Sequence, residues 1–325
     1  MSIGAVRQII VITDKADTHL PYVQDHLDVP LTIIDPQELL RRGELTFSIE
    51  KGKVIVVHNG VRLDNVTGVW YRKPYYIAAA DIPVAAPYKS YSQSNMRAHM
   101  DLLLSAFRRA VWISDYYAIC RAENKIYQLQ LATRLGFNVP RTLMTSNASA
   151  ALDFITAEDN CIVKAHLSYA GQDSGKTFFA TKINRQSPPD LAFLHLAPAI
   201  FQQAIDTQFD VRVTVVGDRV FPAIIRNNTS SYADARDWRI GHFEGGLSIE
   251  AYDSFPAHMA SLCVQHVKRL RLRYGAIDLV MDKQGDFWFL ENNPNGQWGF
   301  IEINTGHRIG EAIASMLAKD NKNSR

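Results

Sequence analysis

Two apolar segments near the end of the chain constrain its fold more than any other feature. Residues 276–281 and 287–291 both have the composition of buried strands, with Gln284-Gly285 between them. A two-residue turn at Gln284-Gly285 would join them as an antiparallel hairpin and would place Asp278 directly opposite Glu291. The sequence therefore predicts two carboxylates on one face of an otherwise apolar hairpin.

This carboxylate pair predicts a metal site. Directly opposed side chains have Cβ atoms about 4.5–5.5 Å apart, and like charges there destabilise a sheet unless a cation lies between them. Asn293 follows Glu291 by two residues, so its amide oxygen shares that face. These three oxygen ligands suit Mg²⁺, which completes its octahedron with waters and substrate phosphates, so the set implies a nucleotide polyphosphate. The alternative is that Asp278 and Glu291 are solvated residues on a polar sheet face.

The composition excludes several other classes of protein. With 325 residues, 47% hydrophobic and 21% charged, the chain has enough apolar material for two or three packed units. The net charge of +2 includes no long run of like charge, so we expect neither a nucleic-acid nor a membrane partner. Three separated cysteines and the lack of an export signal or a long apolar run favour a cytoplasmic protein.

Alternating strand and helix patterns predict a mixed α/β (α+β) protein in three units. We place an N-terminal α/β domain at residues 1–117, a small central unit at 118–199 and the unit that carries the chemistry at 200–318, before a disordered tail at 319–325. The predicted N-terminal strands are residues 8–13, 31–34, 53–57 and 67–71, with turns at Lys51-Gly52 and Asn59-Gly60. Within residues 90–110 a helix should face the core with Met96, Met100, Leu103, Leu104 and Phe107.

The later units carry equally local signals. A helix should run from Asn124 to Leu135 and end at Gly136, and Ser146 or Asn147 should cap another. The predicted strands are residues 139–143 and 161–165, a hairpin arm at 178–183, a strand from Ile200 and a hairpin at 211–225 that turns at Gly217-Asp218. A long helix should follow Pro256.

Basic side chains in these units suit an anionic ligand. Lys164 lies in an apolar strand, where a phosphate oxygen would supply the anionic partner that a buried ammonium group needs. Lys125 lies at a helix start, where the helix dipole disfavours a cation without another role. Arg212, Arg226 and Arg239 precede the hairpin and could neutralise charge on a transferring phosphoryl group. Each could instead be an ordinary surface residue.

Taken in order, several segments resemble the ATP-grasp superfamily over about two thirds of the chain. These are Asn124-Lys125, Lys164, residues 201–205, Asp210-Val211-Arg212, Asp237-Trp238-Arg239, Asp278 and Glu291-Asn292-Asn293-Pro294. Residues 69–74, 237–239, 274–278 and 293–298 look more specifically like the graspetide ligases, the branch that includes the microviridin ring-forming enzymes. Asn292 departs from that likeness, because relatives more often carry an apolar residue between the metal-binding Glu and Asn.

The resemblance implies an ATP-grasp fold with an N-terminal pre-ATP-grasp domain, a small central domain and a C-terminal lobe. It further implies that the backbone of Gln203, Ala204 and Ile205 contacts the adenine of ATP, that Asp210 contacts the ribose, and that Lys125 and Lys164 contact the phosphates. Two Mg²⁺ ions are expected. Arg239, with Arg212, Arg226 and Lys164, would stabilise the charge that develops during phosphoryl transfer.

The same resemblance implies a substrate. An Asp or Glu side chain of a ribosomal precursor peptide would take the γ-phosphoryl group, and a Ser, Thr or Lys side chain would displace phosphate to close a lactone or lactam ring. The leader part of the precursor is expected to dock near residues 167–183, and the protein is expected to form a homodimer. Two alternatives remain open, namely a RimK-like ligase that adds free amino acids and a non-catalytic nucleotide-dependent peptide-binding module.

Overall fold

The computed structural model describes residues 6–42, 44–74, 81–158, 160–166, 180–183, 185–186, 188–227, 238 and 245–319. Its first sheet is parallel, with strand order β2-β1-β6-β7. These strands are β1 Gln8–Ile12, β2 Leu31–Ile34, β6 Val66–Tyr71 and β7 Val111–Ile113. The helices of this part are α1 Leu20–Gln24, α2 Pro36–Arg42 and α3 Lys89–Ala106. The predicted N-terminal α/β region is confirmed at the level of its strands.

A separate antiparallel sheet covers part of this region. It contains β3 Leu45–Glu50, β4 Lys53–His58 and β5 Val61–Arg62. Both predicted turns are present, and all four of their central residues have positive φ, from 48° at Lys51 to 77° at Gly52. This conformation matches the twist of paired strands and favours Gly and Asn, which is why the sequence signal was sufficient.

The central sheet is antiparallel, with strand order β10-β9-β11-β8. It contains β8 Thr142–Thr145, β9 Cys161–Ala165, β10 Thr181–Ile183 and β11 Ala199–Gln203, and α6 Ala148–Ala157 packs on it. The strand predicted at 139–143 begins only at Thr142. The strand predicted from Ile200 was assigned to the third unit, but it pairs with β8 and β9 in this sheet.

The third sheet is also antiparallel, with strand order β14-β13-β12-β15-β16. Its strands are β12 Thr207–Val216, β13 Arg219–Asn227, β14 Leu247–Ala251, β15 Tyr274–Asp282 and β16 Phe287–Asn293. The helix predicted after Pro256 is α7 Ala257–Arg269. Two shorter helices follow, α8 Gly299–Thr305 and α9 Ile309–Leu317.

The two faces of the third sheet belong to different cores. One face packs with the first sheet around α9, through buried residues that include Trp70, Ala276, Trp298 and Leu317. Here Gly68 is required, because a Cβ at this position would lie 2.7 Å from the carbonyl oxygen of Leu317. The other face is covered by α4 Tyr116–Ala122, α5 Lys125–Leu135 and α7. Helices α4 and α5 therefore pack on the third sheet, although both lie near or within the predicted central unit.

The capping residues define the helices that border the site. Asn124 begins α5 by accepting a hydrogen bond from the Tyr127 N–H, and Gly136 ends it with φ of 100°. Asn147 caps α6 in the same way through the Ala150 N–H. In α3, the predicted stripe faces the core, with Met100, Leu103 and Phe107 buried. Among the described residues, no helix combines the length and apolar character needed to cross a membrane.

Candidate functional site

Asp278 lies directly opposite Glu291 in the β15–β16 hairpin, as predicted. The predicted two-residue turn is wrong, however. Gly285 donates its N–H to the Asp282 carbonyl and has φ of 92°, so three residues, 283–285, form the turn. A bulge follows at Leu290, since Leu279 pairs with Phe289 while Asp278 pairs with Glu291. The extra turn residue and the bulge offset each other, and the carboxylate pairing survives.

Each carboxylate of this pair has a cationic neighbour. The Lys125 ammonium group contacts Glu291, and both side chains are 26% exposed. The Arg212 Nε lies 3.2 Å from the Asp278 Oδ1, with Arg212 almost fully buried. These two cations reduce the repulsion between the opposed acids, so repulsion alone does not demand a metal ion.

The oxygen ligands nonetheless suit Mg²⁺. Asn293 pairs with Ala276 next to Asp278 and Glu291, and its Oδ1 accepts the Asn295 N–H at 3.0 Å. Within the described part of the chain, no three His, Cys, Asp or Glu side chains gather as a metal-binding group. Two carboxylates and one amide oxygen leave positions for waters and phosphate oxygens, as Mg²⁺ prefers.

Lys164 lies on β9 with its ammonium group 3.0 Å from the Gln202 Oε1. Gln202 is 1% exposed and donates through Nε2 to the Thr142 hydroxyl at 2.8 Å. The three side chains share the face of the central sheet that lies opposite α6. Sequence reasoning did not assign a role to Gln202. In the paired strands, Lys164 lies opposite Ile200 and Gln202 lies opposite Ile162. Because Gln202 follows Ile200 by two residues, strand alternation gives Gln202 the same face as Lys164.

Residues Gln203, Ala204 and Ile205 connect the central sheet to the third sheet. The Gln203 N–H donates to the Arg141 carbonyl, and the Ala204 N–H donates to the Asn160 carbonyl, both at 2.9 Å. The Ile205 carbonyl accepts from the Thr207 N–H. The connector is thus held on both sides.

The polar residues of β12 share the face of the carboxylate pair. Arg212 pairs with Asp278 across the ladder, and Asp210, two residues earlier, pairs with Val280. Asp210 is 8% exposed. The guanidinium group of Arg212 also lies 5.4 Å from the ring centre of Trp238, which stacks on Phe300.

Arg226 does not join this group. It lies beside the β13 residue Ile225, which pairs with Asp210, so strand alternation gives Arg226 the opposite face. There its guanidinium group lies 4.8 Å from the ring centre of Phe209 and 3.2 Å from the Glu250 carboxylate. Arg239 lies outside the described residues, as does the predicted leader-docking segment apart from residues 180–183.

The N-terminal region contributes a contact that sequence reasoning missed. Arg72 is 1% exposed and donates to the Asn295 carbonyl at 2.6 Å and to the Gln297 Oε1 at 2.8 Å. Its Nε lies 3.5 Å from the Asp17 carboxylate. Burial alone would raise the pKa of Asp17, but the hydrogen bond from His19 and the charge of Arg72 outweigh it and lower the pKa to about 2. The first sheet thereby holds the loop that follows Asn293.

A buried polar cluster lies behind the carboxylate hairpin. The side chain of Gln128 on α5 bonds both backbone groups of Asn292, and His266 on α7 contacts both residues. Asn292 therefore points away from the face that carries Glu291 and Asn293. The sequence offered one signal for this cluster, the polar Asn292 at a position where an apolar residue was expected.

The chain also matches a known family and several named proteins. The family model for the RimK-like ATP-grasp domain matches residues 122–317, more than half of the chain. A probable alpha-L-glutamate ligase from Desulfotalea psychrophila is 26% identical over 204 residues, which are 62% of this chain and 42% of that protein. A probable alpha-L-glutamate ligase 1 from a Shewanella species is 27% identical over 209 residues, 63% of this chain and 66% of that protein. The chain thus covers less than two thirds of each relative.

Solved structures resemble the chain over nearly its whole length. The RiPP-associated ATP-grasp ligase of Chryseobacterium gregarium, in complex with ADP and a leader and core peptide, has a TM-score of 0.86 at 23% identity and covers 98% of this chain and 99% of that one. The macrocyclase MdnC of Microcystis aeruginosa, bound with the precursor peptide MdnA, gives 0.80 at 22% identity, with 96% and 99% covered. The ATP-grasp ligase PsnB with minimal precursor, Mg and ADP gives 0.76 at 22% identity, with 97% of each chain covered.

At these identities the structural likeness establishes the fold, which is the predicted ATP-grasp fold of mixed helix and strand. The family match covers the segment that holds every described residue of the candidate site except Arg72 and its N-terminal neighbours. The chain belongs to the family of RimK-like ATP-grasp domains.

Proposed function

We propose that this protein is an ATP- and Mg²⁺-dependent ligase that closes macrolactone or macrolactam rings in a ribosomal precursor peptide. The observation that carries the proposal is the pairing of Asp278 with Glu291, with Asn293 beside them and Lys125 and Arg212 in contact. This set of opposed acids and cations suits a metal ion that shares its ligands with a polyphosphate.

ATP would lie between the central and third sheets. The adenine would use the Ile205 N–H and the carbonyl groups of the Gln203-Ala204 connector, and Asp210 would contact the ribose. Lys125 and Lys164 would hold the phosphates from the two sides. Asp278, Glu291 and Asn293 would hold Mg²⁺, which supplies charge neutralisation on the β- and γ-phosphate oxygens when it is bound. We propose that two Mg²⁺ ions bind.

The reaction would proceed in two steps. A carboxylate oxygen of the peptide attacks the γ-phosphorus, the bond to the β-phosphate oxygen breaks, and ADP leaves. A hydroxyl or amine of the same peptide then attacks the acyl carbon, loses its proton, and phosphate leaves with one oxygen of the original carboxylate. Arg212, buried beside Asp278, and Arg239 would stabilise the charge that develops on the transferred group. Arg226 could take part only if it left Glu250 and turned to the other face of β13.

The relatives support two different substrates. Structures similar over the whole chain include complexes with precursor peptides, whereas the sequence relatives are named probable alpha-L-glutamate ligases. We favour the peptide because the likeness to the peptide complexes includes the N-terminal region, which the family match at residues 122–317 leaves out. A ligase that adds free amino acids is the second candidate. The buried Arg212 next to Asp278 disfavours a non-catalytic binding module, since an unused buried ion pair does little for stability.

A short reading frame beside this gene that encodes a peptide rich in Thr or Ser and in Asp or Glu would supply a candidate substrate. Incubation of that peptide with this protein, ATP and Mg²⁺ tests the proposal by intact mass. Each ring should remove the mass of one water, and Glu291→Gln should abolish the change while Glu250→Gln, at an exposed carboxylate, should not. An unchanged peptide together with phosphate release that requires free amino acids would move the assignment to the amino-acid ligase.

We propose three domains, at residues 1–117, 118–199 and 200–318, with residues 319–325 as a tail. β11, at the start of the third of them, pairs in the central sheet. We propose a cytoplasmic location, leader docking near residues 167–183, and a homodimer. A monomeric mass in solution would refute the homodimer.

A further inference from the structure

The backbone between two proposed metal ligands is held by a single side chain. Gln128 accepts the Asn292 N–H through Oε1 at 2.8 Å and donates through Nε2 to the Asn292 carbonyl at 2.8 Å. A second Nε2 hydrogen bond reaches the Ala122 carbonyl at the end of α4. Since carbonyl oxygens only accept and N–H groups only donate, these partners determine which end of the Gln128 amide is oxygen.

The position of β16 in the sheet explains why this contact matters. β16 is the last strand in the order of the third sheet. On its outer edge the Phe289 N–H donates to the Asn138 carbonyl at 2.8 Å, in an isolated bridge and not in a further strand. In an antiparallel ladder, both backbone groups of a residue point to the same edge. Gln128 bonds the outward groups of Asn292 as another strand would. The bulge at Leu290 interrupts the ladder on the inner side just before Glu291, which leaves this stretch more dependent on outer contacts.

His266 closes the cluster from the other side. Its Nε2 lies 3.2 Å from the Gln128 carbonyl, so Nε2 carries the proton, and Nδ1 accepts from the Asn292 amide at 3.4 Å. The Asn292 side chain is further confined by Gly275, where a Cβ would lie 2.6 Å from the Asn292 Oδ1. The residue that departs from the family pattern therefore has fixed partners on α5 and α7.

Helix α5 also contacts the side chain of the proposed metal ligand Glu291. Lys125 lies one turn before Gln128 on α5 and contacts Glu291, the residue before Asn292. α5 thus holds the Glu291 carboxylate through Lys125 and the adjoining backbone through Gln128.

On the basis of the proposed function, we infer that Gln128 is a positioning residue for the metal-binding pair Glu291 and Asn293. It acts through the Asn292 backbone and does not itself contact metal or nucleotide. Loss of groups that orient metal ligands lowers metal affinity about 10- to 100-fold, whereas nucleotide binding without metal should be unaffected.

The test measures Mn²⁺ binding to the full chain by electron paramagnetic resonance at saturating ADP, and ADP binding without metal by calorimetry. Gln128→Met removes both bonds to Asn292, and Gln128→Glu keeps the acceptor but loses the donor. Gln130→Met, at an exposed position on the same helix, is the matched control. We expect the Mn²⁺ Kd to rise about 10- to 100-fold in Gln128→Met and at least as much in Gln128→Glu, because the second carboxylate oxygen would face the Ala122 and Asn292 carbonyls. The ADP Kd without metal should stay unchanged in all three variants.

A wild-type Mn²⁺ Kd in folded Gln128→Met would overturn the inference and leave the proposed function standing. If Gln128→Met does not fold, Gln128→Glu decides by the same criterion. Equal losses of ADP and Mn²⁺ binding would also overturn it, because they indicate a general structural role. If the wild-type protein binds ADP but no Mn²⁺, the proposed metal site itself fails.

Discussion

The ammonium group of Lys125 lies against the carboxylate of Glu291, 166 residues later in the chain. Lys125 is proposed to bind phosphate and Glu291 to bind the metal ion. Nucleotide and metal would therefore replace the contact that these two residues make with each other. Binding of ATP with Mg²⁺ would exchange this ion pair for ammonium–phosphate and carboxylate–metal contacts. The site is therefore expected to bind metal and nucleotide more tightly together than separately.

Lys125→Met should weaken binding of Mg²⁺–ATP by about 10- to 100-fold, because a hydrogen bond to a charged group contributes about 1.5–3 kcal/mol. The free energy of unfolding should change by less than about 1 kcal/mol, since the ion pair is partly exposed. Calorimetry checks the affinity, and Lys283→Met, at an exposed pair with Asp206, is the control. Equal affinities for the two variants would remove Lys125 from the phosphate site.

Arg72→Met should lower the free energy of unfolding by about 3–5 kcal/mol, because it leaves the Asp17 carboxylate, only 10% exposed, without its cation and the Asn295 carbonyl without its donor. Urea unfolding measures the change. Arg62→Met removes an exposed pair with Asp64 and should cost less than about 1 kcal/mol. A small effect at Arg72 would show that the first sheet does not hold the loop after Asn293.

The stability of the protein should depend on pH through His266. Burial lowers its pKa from 6.5 to about 4. Between these values the unfolded chain binds a proton that the folded chain does not, so stability falls as the pH falls. The full contribution is about 3 kcal/mol, at about 1.4 kcal/mol per pKa unit.

Urea unfolding at pH 7 and pH 4 checks this dependence. In His266→Gln the loss of stability on acidification should be smaller than in the wild-type protein by up to about 3 kcal/mol. His258→Gln, at an exposed position of the same helix, should keep the wild-type dependence. Identical pH dependence in the wild-type protein and His266→Gln would show that the lowered pKa of His266 does not cause the loss of stability.

Much of the fold could be predicted where the signal is local. Asn124 and Gly136 mark the ends of α5 because cap and left-handed positions select those residues. The Asn59-Gly60 turn is readable for the same reason. β11 was harder to place, because its partners β8 and β9 lie far away in sequence and nothing local identifies them.

The candidate site was predicted in part. The pairing of Asp278 with Glu291 was correct although the turn was not, because a one-residue error at Gly285 was offset by the bulge at Leu290. Period-two alternation identifies the face of each residue but cannot locate a bulge. Strand parity also separates Arg226 from Arg212, although the sequence analysis grouped the basic residues of the third unit together.

The contacts between distant segments were beyond the sequence. Arg72 and Asn295 belong to segments that both resembled the same family, yet nothing in either segment indicates that they touch. The same holds for Gln128 and Asn292, which only the packing of α5 on β16 brings together. Such contacts depend on the tertiary arrangement of elements that are themselves predictable.

The fate of the peptide's carboxylate oxygen tests most directly whether the protein closes rings through phosphorylation of that carboxylate. The peptide is labelled with oxygen-18 at its Asp and Glu side chains, cyclised with ATP and Mg²⁺, and the released phosphate is examined by mass spectrometry. We expect one labelled oxygen in phosphate for each ring that forms, because the carboxylate attacks the γ-phosphorus. Ring formation with unlabelled phosphate would contradict it.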